Sequence, residues 1–293
     1  TIVVISSAIK KNNPELIEAK KKKIPIIKRG KMLASIVSLM KNIVVVGSHG
    51  KTTTTSLIAS IFQETKLDPT IINGGVINSI KNTAKLGKSD WSILEADESD
   101  GSFVHIPPTY SIITNIDLDH EKWLGSTLEQ IGFQKAAILK QGKIGILGSD
   151  SMPISVTSKS KEICKKTLQL GKEFRVSSQN NKWSYSIPHK NFELEDIDSG
   201  NLNHESAACA LSAYKVLLED DIDFKKVIEA THLPGRCHSI EHFILDVSHN
   251  PASVKNLIQF LDRNHKDIKF ICDTTPEKIG KYTLGNMSKG QLS

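Results

Sequence analysis

The sequence predicts an α/β fold, a parallel sheet with helices on both faces. Three observations point there. Short apolar runs bounded by turns alternate with stretches of helical period, the strand–turn–helix rhythm of a parallel sheet. One of these junctions, Gly47–Gly50, is a glycine-containing turn between an apolar strand and a helix. The 293 residues are 39% hydrophobic and 24% charged, enough apolar material for a sizeable core and unlike a disordered chain. At roughly 150 residues per domain, this length fits about two domains.

The elements follow in order. TIVVISSAI is a short β-rich run with its lysines behind it. A secretory leader would carry its positive charge in front, so this run reads as a buried strand. The chain opens on Thr1 rather than Met, so the natural start is expected upstream. PELIEAKKKK reads as a helix, IPII as a second strand and GKMLASIVSLMK as an amphipathic helix. In NIVVVGSHGKTTTTSLIASIFQETK an apolar strand is followed by a turn and by a helix whose Leu57, Ile58, Ile61 and Phe62 share one face. Further strands are expected at TIIN, WSILEAD and YSIITNI. Beyond about Asp119, LEQIGFQKAAILK reads as a helix and KIGILG as a strand. EFRVSS, KWSYSI and NFELED suggest a small antiparallel patch. HESAACALSAYKVLLED is an Ala-rich helix, LPGR a hinge or loop, and FILDVSHNPASVKNLIQFLDR a strand–loop–helix unit. Domain boundaries are expected at 1–40, 41–232 and 233–293.

Charge and cysteine content narrow the function classes. Lys plus Arg number 38 against 32 Asp plus Glu, a net charge of +6. Part of it is the run Lys20–Lys23 with Lys28, Arg29 and Lys31 behind. No aromatic residues interleave there as a base-stacking platform needs, so a solvated helix end is favoured over a polyanion contact, and no nucleic-acid partner is expected. No apolar run approaches the ~20 residues that span a bilayer, so no membrane partner is expected. The four cysteines, Cys164, Cys209, Cys237 and Cys272, form no CxxC pair. Reduced thiols and a cytoplasmic location are the simpler expectation.

Gly47-Ser48-His49-Gly50-Lys51-Thr52, followed by Thr53, is the strongest local signal. Glycines let the backbone turn so that successive N–H groups face phosphate oxygens, and the helix start adds partial positive charge. Lys51 can reach β/γ-phosphates and the Thr52 hydroxyl a Mg²⁺ ion. The usual GxxxxGK[ST] pattern asks for glycine where Val45 stands, so the match is to a shortened G-x-x-G-K-T form. Glu95, Asp97, Glu98 and Asp100 crowd the end of one strand, and such acids repel unless cations sit among them. His120 follows another strand. Thr52, Glu95 and His120 are therefore expected to converge on one or two Mg²⁺, against a solvated acidic loop as the alternative. Lys135, among apolar neighbours, either snorkels or does chemistry. Arg236, Asp246, His249 and Asn250 surround a later loop. A bidentate Arg suits phosphate and Asp suits ribose hydroxyls.

GSHGKTTTT, GGVINSIKNTAKLG, SDWSILEADESDGSF and TNIDLD resemble the central domain of the UDP-N-acetylmuramate–L-alanine ligase family. SSAIKKNNPELIEAKKKKIPIIKRGKMLA resembles the second half of that family's UDP-binding domain. From about residue 120, LDHEKWLGSTLEQIGFQKAAILK and LPGRCHSIEHFILDVSHNPASVKNLIQFL resemble dihydrofolate/folylpolyglutamate synthase, of the same superfamily. The chain thus reads as a hybrid joined near His120. The resemblance implies a remnant of a UDP-binding domain, a central P-loop ATPase domain and a partial Rossmann-like C-terminal domain. It stops near Ser293, short of a complete amino-acid-binding domain, and residues 272–293 match neither family. The implied reaction is ATP-dependent amide formation through an acyl phosphate by a monomer. The acceptor would be UDP-N-acetylmuramate, in peptidoglycan precursor synthesis, or a folate, and the amino acid L-alanine or L-glutamate. An ATP-binding remnant without ligase activity is a further alternative.

The resemblance also implies roles at matching positions. Gly47, Ser48, His49, Gly50, Lys51, Thr52 and Thr53 would hold the ATP phosphates. Thr52, Glu95, His120 and Lys135 would hold Mg²⁺, Lys135 as a carbamate. Arg236 and His249 would approach the γ-phosphate and Asp246 the ribose. The asparagine that touches adenine in relatives falls at Ser206, which makes Asn203 the nearest substitute.

Overall fold

The computed structural model describes residues 1–6, 8–96, 102–118, 124–179, 182–198, 200, 202–218, 222–240, 243–248, 253–254, 257–258 and 260–261. Asp97, Glu98, Asp100, His120, His249, Asn250, Cys272 and the stretch 262–293 lie outside them. The chain begins with β1 (Val3–Ile5), α1 (Pro14–Lys21), β2 (Ile26–Lys28) and α2 (Arg29–Val37). β1 and β2 pair in parallel, Val4 opposite Ile27. Asn13 starts α1 by accepting from the Leu16 amide at 3.1 Å, with Pro14 in the first turn where its missing N–H costs nothing. Lys20–Lys23 are exposed at the other end of α1, and Lys21 and Lys22 pair with Glu18.

The main sheet has seven strands: β3 (Lys41–Val46), β4 (Thr70–Ile77), β5 (Asn82–Lys85), β6 (Trp91–Glu95), β7 (Tyr110–Ile113), β8 (Ile144–Leu147) and β9 (Lys166–Gln169). Their order is β5-β4-β6-β3-β7-β8-β9, parallel except for β5. Successive side chains of a strand point to opposite faces, so the apolar run of β3 feeds two cores. Ile43 and Val45 face α3 (Lys51–Gln63). Val44 and Val46 face α2 and the short turns Ser102–His105 and Ala136–Ile138. Helices thus cover both faces, as the sequence predicts.

The first core is the larger. α3 is buried from Thr53 to Phe62 because a second layer closes over it. That layer is α6 (His204–Leu217) with the antiparallel sheet β10 (Arg175–Gln179), β11 (Lys182–Ile187) and β12 (Phe192–Asp198). Phe62 and Tyr214 meet edge to face, ring centroids 5.5 Å apart. Between β7 and β8 runs α4 (Leu128–Lys135), and between β8 and β9 runs α5 (Ile154–Ile163). α7 (Phe224–Ala230) follows α6, and the hairpin β13 (His238–Ile240) and β14 (Phe243–Leu245) comes after the LPGR loop. Among the described residues Cys164, Cys209 and Cys237 form no disulfide, and no helix is long and apolar enough to cross a membrane.

One buried polar residue ties these parts together. The Asn42 amide donates to the carbonyls of Val37 (3.0 Å), Met40 (3.1 Å) and Pro107 (2.8 Å) and accepts from the Ser92 hydroxyl. It joins the end of α2 to β3, β6 and the lead into β7. Asn42→Ala strands these groups, and a buried unsatisfied group costs ~1–3 kcal/mol. The expected loss is about 3 kcal/mol, seen as a lower urea midpoint at unchanged slope.

Candidate active site

Strand order places the site. After β3 the chain crosses to β4 on one side, and after β6 it crosses to β7 on the other. The C-terminal ends of β6, β3 and β7 therefore lie side by side where the connections diverge, the crevice in which open α/β sheets bind ligands. The loop Gly47–Gly50 leaves the middle strand. Gly47 has φ 144° and Gly50 φ 75°, both in the region that favours glycine. A Cβ on Gly47 would stand 1.9 Å from the Thr114 hydroxyl, and one on Gly50 2.7 Å from that of Ser206. α3 starts without a side-chain cap, so its first turn presents the amide-rich end that anions favour. Lys51 folds back over the loop and donates to the Gly47 carbonyl at 2.7 Å.

The segment after β7 grips this loop. The Ser48 amide donates to the Asn115 carbonyl (3.1 Å) and the His49 amide to the Asn115 side chain (2.9 Å). The Ser48 hydroxyl accepts from the Asp117 amide at 2.9 Å and reaches the Asp117 carbonyl at 3.2 Å. Thr114 donates its hydroxyl to the carbonyls of Val46 and His49, and the His49 Nε2 lies 3.4 Å from the Asp117 carboxylate. The sequence suggests that successive loop amides face a ligand. In the structure those of Ser48 and His49 turn to Asn115 instead.

Of the three residues expected to meet at a metal, Thr52 and Glu95 lie together, and His120 is outside the described residues. The Thr52 hydroxyl donates to Glu95 Oε2 at 2.9 Å, and the Gly74 amide donates to the same oxygen at 2.9 Å. Two hard oxygens beside this glycine-containing loop suit Mg²⁺, which takes few protein ligands and completes its shell with phosphates and water. Among the described residues no group of three His, Cys, Asp or Glu gathers, at this site or elsewhere. Lys135 closes α4 with 0% of its surface exposed, so it does not snorkel.

A cavity of about 110 Å³ brings the C-terminal segment to the loop: His49, Gly50, Thr53, Asn203, Arg236 and Asp246 all line it. Asn203 caps α6, accepting from the Ser206 amide at 2.8 Å. Asp246 accepts from the amides of Cys237 (2.7 Å) and Ser248 (2.8 Å) and from the Ser248 hydroxyl, so much of its capacity already shapes its own loop. Burial and the neighbouring Asp246 push the Cys237 thiol up to about 12, Arg236 opposing them, so this cysteine stays protonated at neutral pH. A larger cavity, about 470 Å³, lies between the end of α3, Asn78 and α7 and holds none of the residues singled out from sequence. Thr114, Asn115, Asp117 and Ser206 complete the loop's surroundings and were not singled out for it. For Thr114, Asn115 and Asp117 the sequence signal is the TNIDLD run at a strand's end, and for Ser206 it is the position where relatives carry an asparagine.

Comparison with known proteins agrees with this fold. Residues 45–212 match the Mur ligase middle domain and residues 1–41 the Mur ligase family catalytic domain. The UDP-N-acetylmuramate–L-alanine ligase of Pelagibacter ubique is 43% identical over 96% of this chain, which spans 65% of that protein. The corresponding ligase of Anaeromyxobacter dehalogenans is 54% identical over 41% of the chain, or 26% of its own length. The Pelagibacter match covers 96% of the chain and so extends on both sides of residue 120, where the sequence reading expects a join. Two solved structures share the fold. UDP-N-acetylmuramate-alanine ligase of Thermotoga maritima gives a TM-score of 0.73 at 21% identity, covering 89% of this chain and 64% of that one. Escherichia coli FolC in complex with DHPP and ADP gives 0.71 at 22%, covering 82% and 70%. The middle-domain match takes in more than half of the sequence, including the loop, Glu95, Lys135 and the first part of α6, and with it this chain belongs to the Mur ligase family.

Proposed function

We propose that the protein is an ATP-dependent ligase that joins L-alanine to the carboxylate of UDP-N-acetylmuramate through an acyl phosphate, as a cytoplasmic monomer. The carrying observation is the 43% identity to a curated UDP-N-acetylmuramate–L-alanine ligase across 96% of the chain. The chain spans 65% of that relative, so the activity is read from the shared part. Residues 1–40 would serve the UDP substrate, 41–232 ATP, and 233–293 the closing side of the site.

The loop Gly47–Thr53 with Lys51 holds the β/γ-phosphates. Thr52, Glu95, His120 and a carbamylated Lys135 hold Mg²⁺, which offsets charge on the transferring phosphoryl group. Arg236 and His249 approach the γ-phosphate from the C-terminal side, Asp246 the ribose and Asn203 the base. Such positioning aligns carboxylate, phosphate and amine. Support comes from the Thr52–Glu95 pair at 2.9 Å and from the shared cavity of Gly50, Arg236 and Asp246.

Phosphate release with ATP and Mg²⁺ is the test. Release is expected with UDP-N-acetylmuramate plus L-alanine and not with dihydropteroate or a folate plus L-glutamate. Lys51→Ala should lower it about 100-fold, the scale for losing one preorganised cation at a developing charge. Release only in the folate mixture would reassign the acceptor. ATP binding that Lys51→Ala abolishes, without release in either mixture, would leave a nucleotide-binding protein that does not ligate.

A further inference from the structure

We propose that Asn115 and Asp117 are positioning residues of the phosphate loop. They fix it in its nucleotide-ready shape from outside, and the inference rests on the reading of that loop as the ATP site. A loop with glycine at both ends has little conformational preference of its own. Here Val45 also replaces the extra glycine of the longer pattern, so the turn is short. Its shape is imposed by one neighbouring segment. Asn115 takes the amides of two successive loop residues, Ser48 with its carbonyl and His49 with its side chain. Asp117 holds the same two residues differently, the Ser48 hydroxyl through its backbone and the His49 imidazole through its carboxylate.

The division of labour has a consequence for binding. With the Ser48 and His49 amides turned to Asn115, the phosphate-facing donors are those that follow, at the start of α3. His49 lines the cavity shared with Arg236 while its Nε2 stays against Asp117. The His49 side chain is 13% exposed and the Asp117 side chain 42%. The pair therefore has one half-exposed end that can be altered without disturbing a core. Holding a binding loop in its bound shape before the ligand arrives removes ordering cost from affinity.

The experiment titrates a non-hydrolysable ATP analogue with Mg²⁺ into the full chain by calorimetry, with thermal melting and amide exchange of the free protein alongside. Asn115→Ala and Asp117→Ala are each expected to bind about tenfold more weakly, the scale of one net hydrogen bond. Asp117→Asn, which keeps an oxygen facing His49, should stay within about threefold of the parent. Exchange protection at the His49 amide should fall in Asn115→Ala, while the Ser48 amide keeps the backbone carbonyl of residue 115 as its acceptor. Should Asn115→Ala melt early, Asp117→Ala carries the comparison from its half-exposed position. Binding by both alanine variants within about twofold of the parent, while Lys51→Ala fails to bind, would overturn this inference and leave the ATP site standing. Failure of the parent chain to bind the analogue would overturn both.

Discussion

Gly47→Ala is expected to remove nucleotide binding and to destabilise the fold by about 2 kcal/mol, the scale for one residue forced into a disfavoured backbone region. The added Cβ would lie 1.9 Å from the Thr114 hydroxyl and 3.1 Å from the Thr114 amide nitrogen. The hydroxyl must leave, and its bonds to the carbonyls of Val46 and His49 go with it. The backbone nitrogen has no such freedom, since it donates to Val46 in the register of β3 and β7. Relief can come only from the loop, whose φ of 144° disfavours alanine in any case. A shift of about 1 Å in a positioning element costs on the order of 100-fold. Calorimetry with an ATP analogue and a urea melt measure the two effects together. A variant that binds like the parent would show that this loop does not hold phosphate.

Glu95→Ala is the second large effect. The carboxylate gathers the Thr52 hydroxyl and the Gly74 amide on one oxygen and leaves its other oxygen for a cation. Removing it should abolish the Mg²⁺ dependence of nucleotide binding and lower turnover by about 100-fold, since a metal stabilises transferring phosphoryl charge by several kcal/mol. Binding in the presence of a chelator should be unchanged. Manganese titration followed by its paramagnetic signal reports the metal directly. Full metal affinity in the variant would make Glu95 a structural acceptor for Gly74 and nothing more.

Much of the fold was legible because its elements carry their own signals. β3 is an apolar run between a polar start and a glycine turn, and α6 is Ala-rich behind an asparagine cap. The elements that escaped were set by distant partners. ISVTSKSKEI has no clear helical period, yet α5 forms there because Glu129, on α4, receives the Ile154 amide at 2.9 Å and the Ser155 amide at 2.8 Å. The Ser155 and Ile154 donors hold the Glu129 carboxyl below its usual range. β5 is the polar stretch NTAK, which is strand only because β4 offers it an edge. LEQIGFQKAAILK reads as one helix, whereas α4 ends at Lys135 and a tighter turn takes Ala136–Ile138 into the second core. The site divides in the same way. Thr52 and Glu95 were readable from residue type at strand ends. The grip of Asn115 and Asp117 was not, since nothing local in TNID reports a contact made to a loop some 65–70 positions earlier.

Ser206 pressed against Gly50 has a bearing on how the chain matures. The residues proposed to cradle phosphate emerge early in synthesis, but the layer that seals α3 arrives only with α6. Until then the apolar side of α3 has no lid, and contacts so far apart along the chain form late. A nascent or truncated product ending before His204 should therefore be sticky and unable to retain ATP, whatever its sequence up to that point promises.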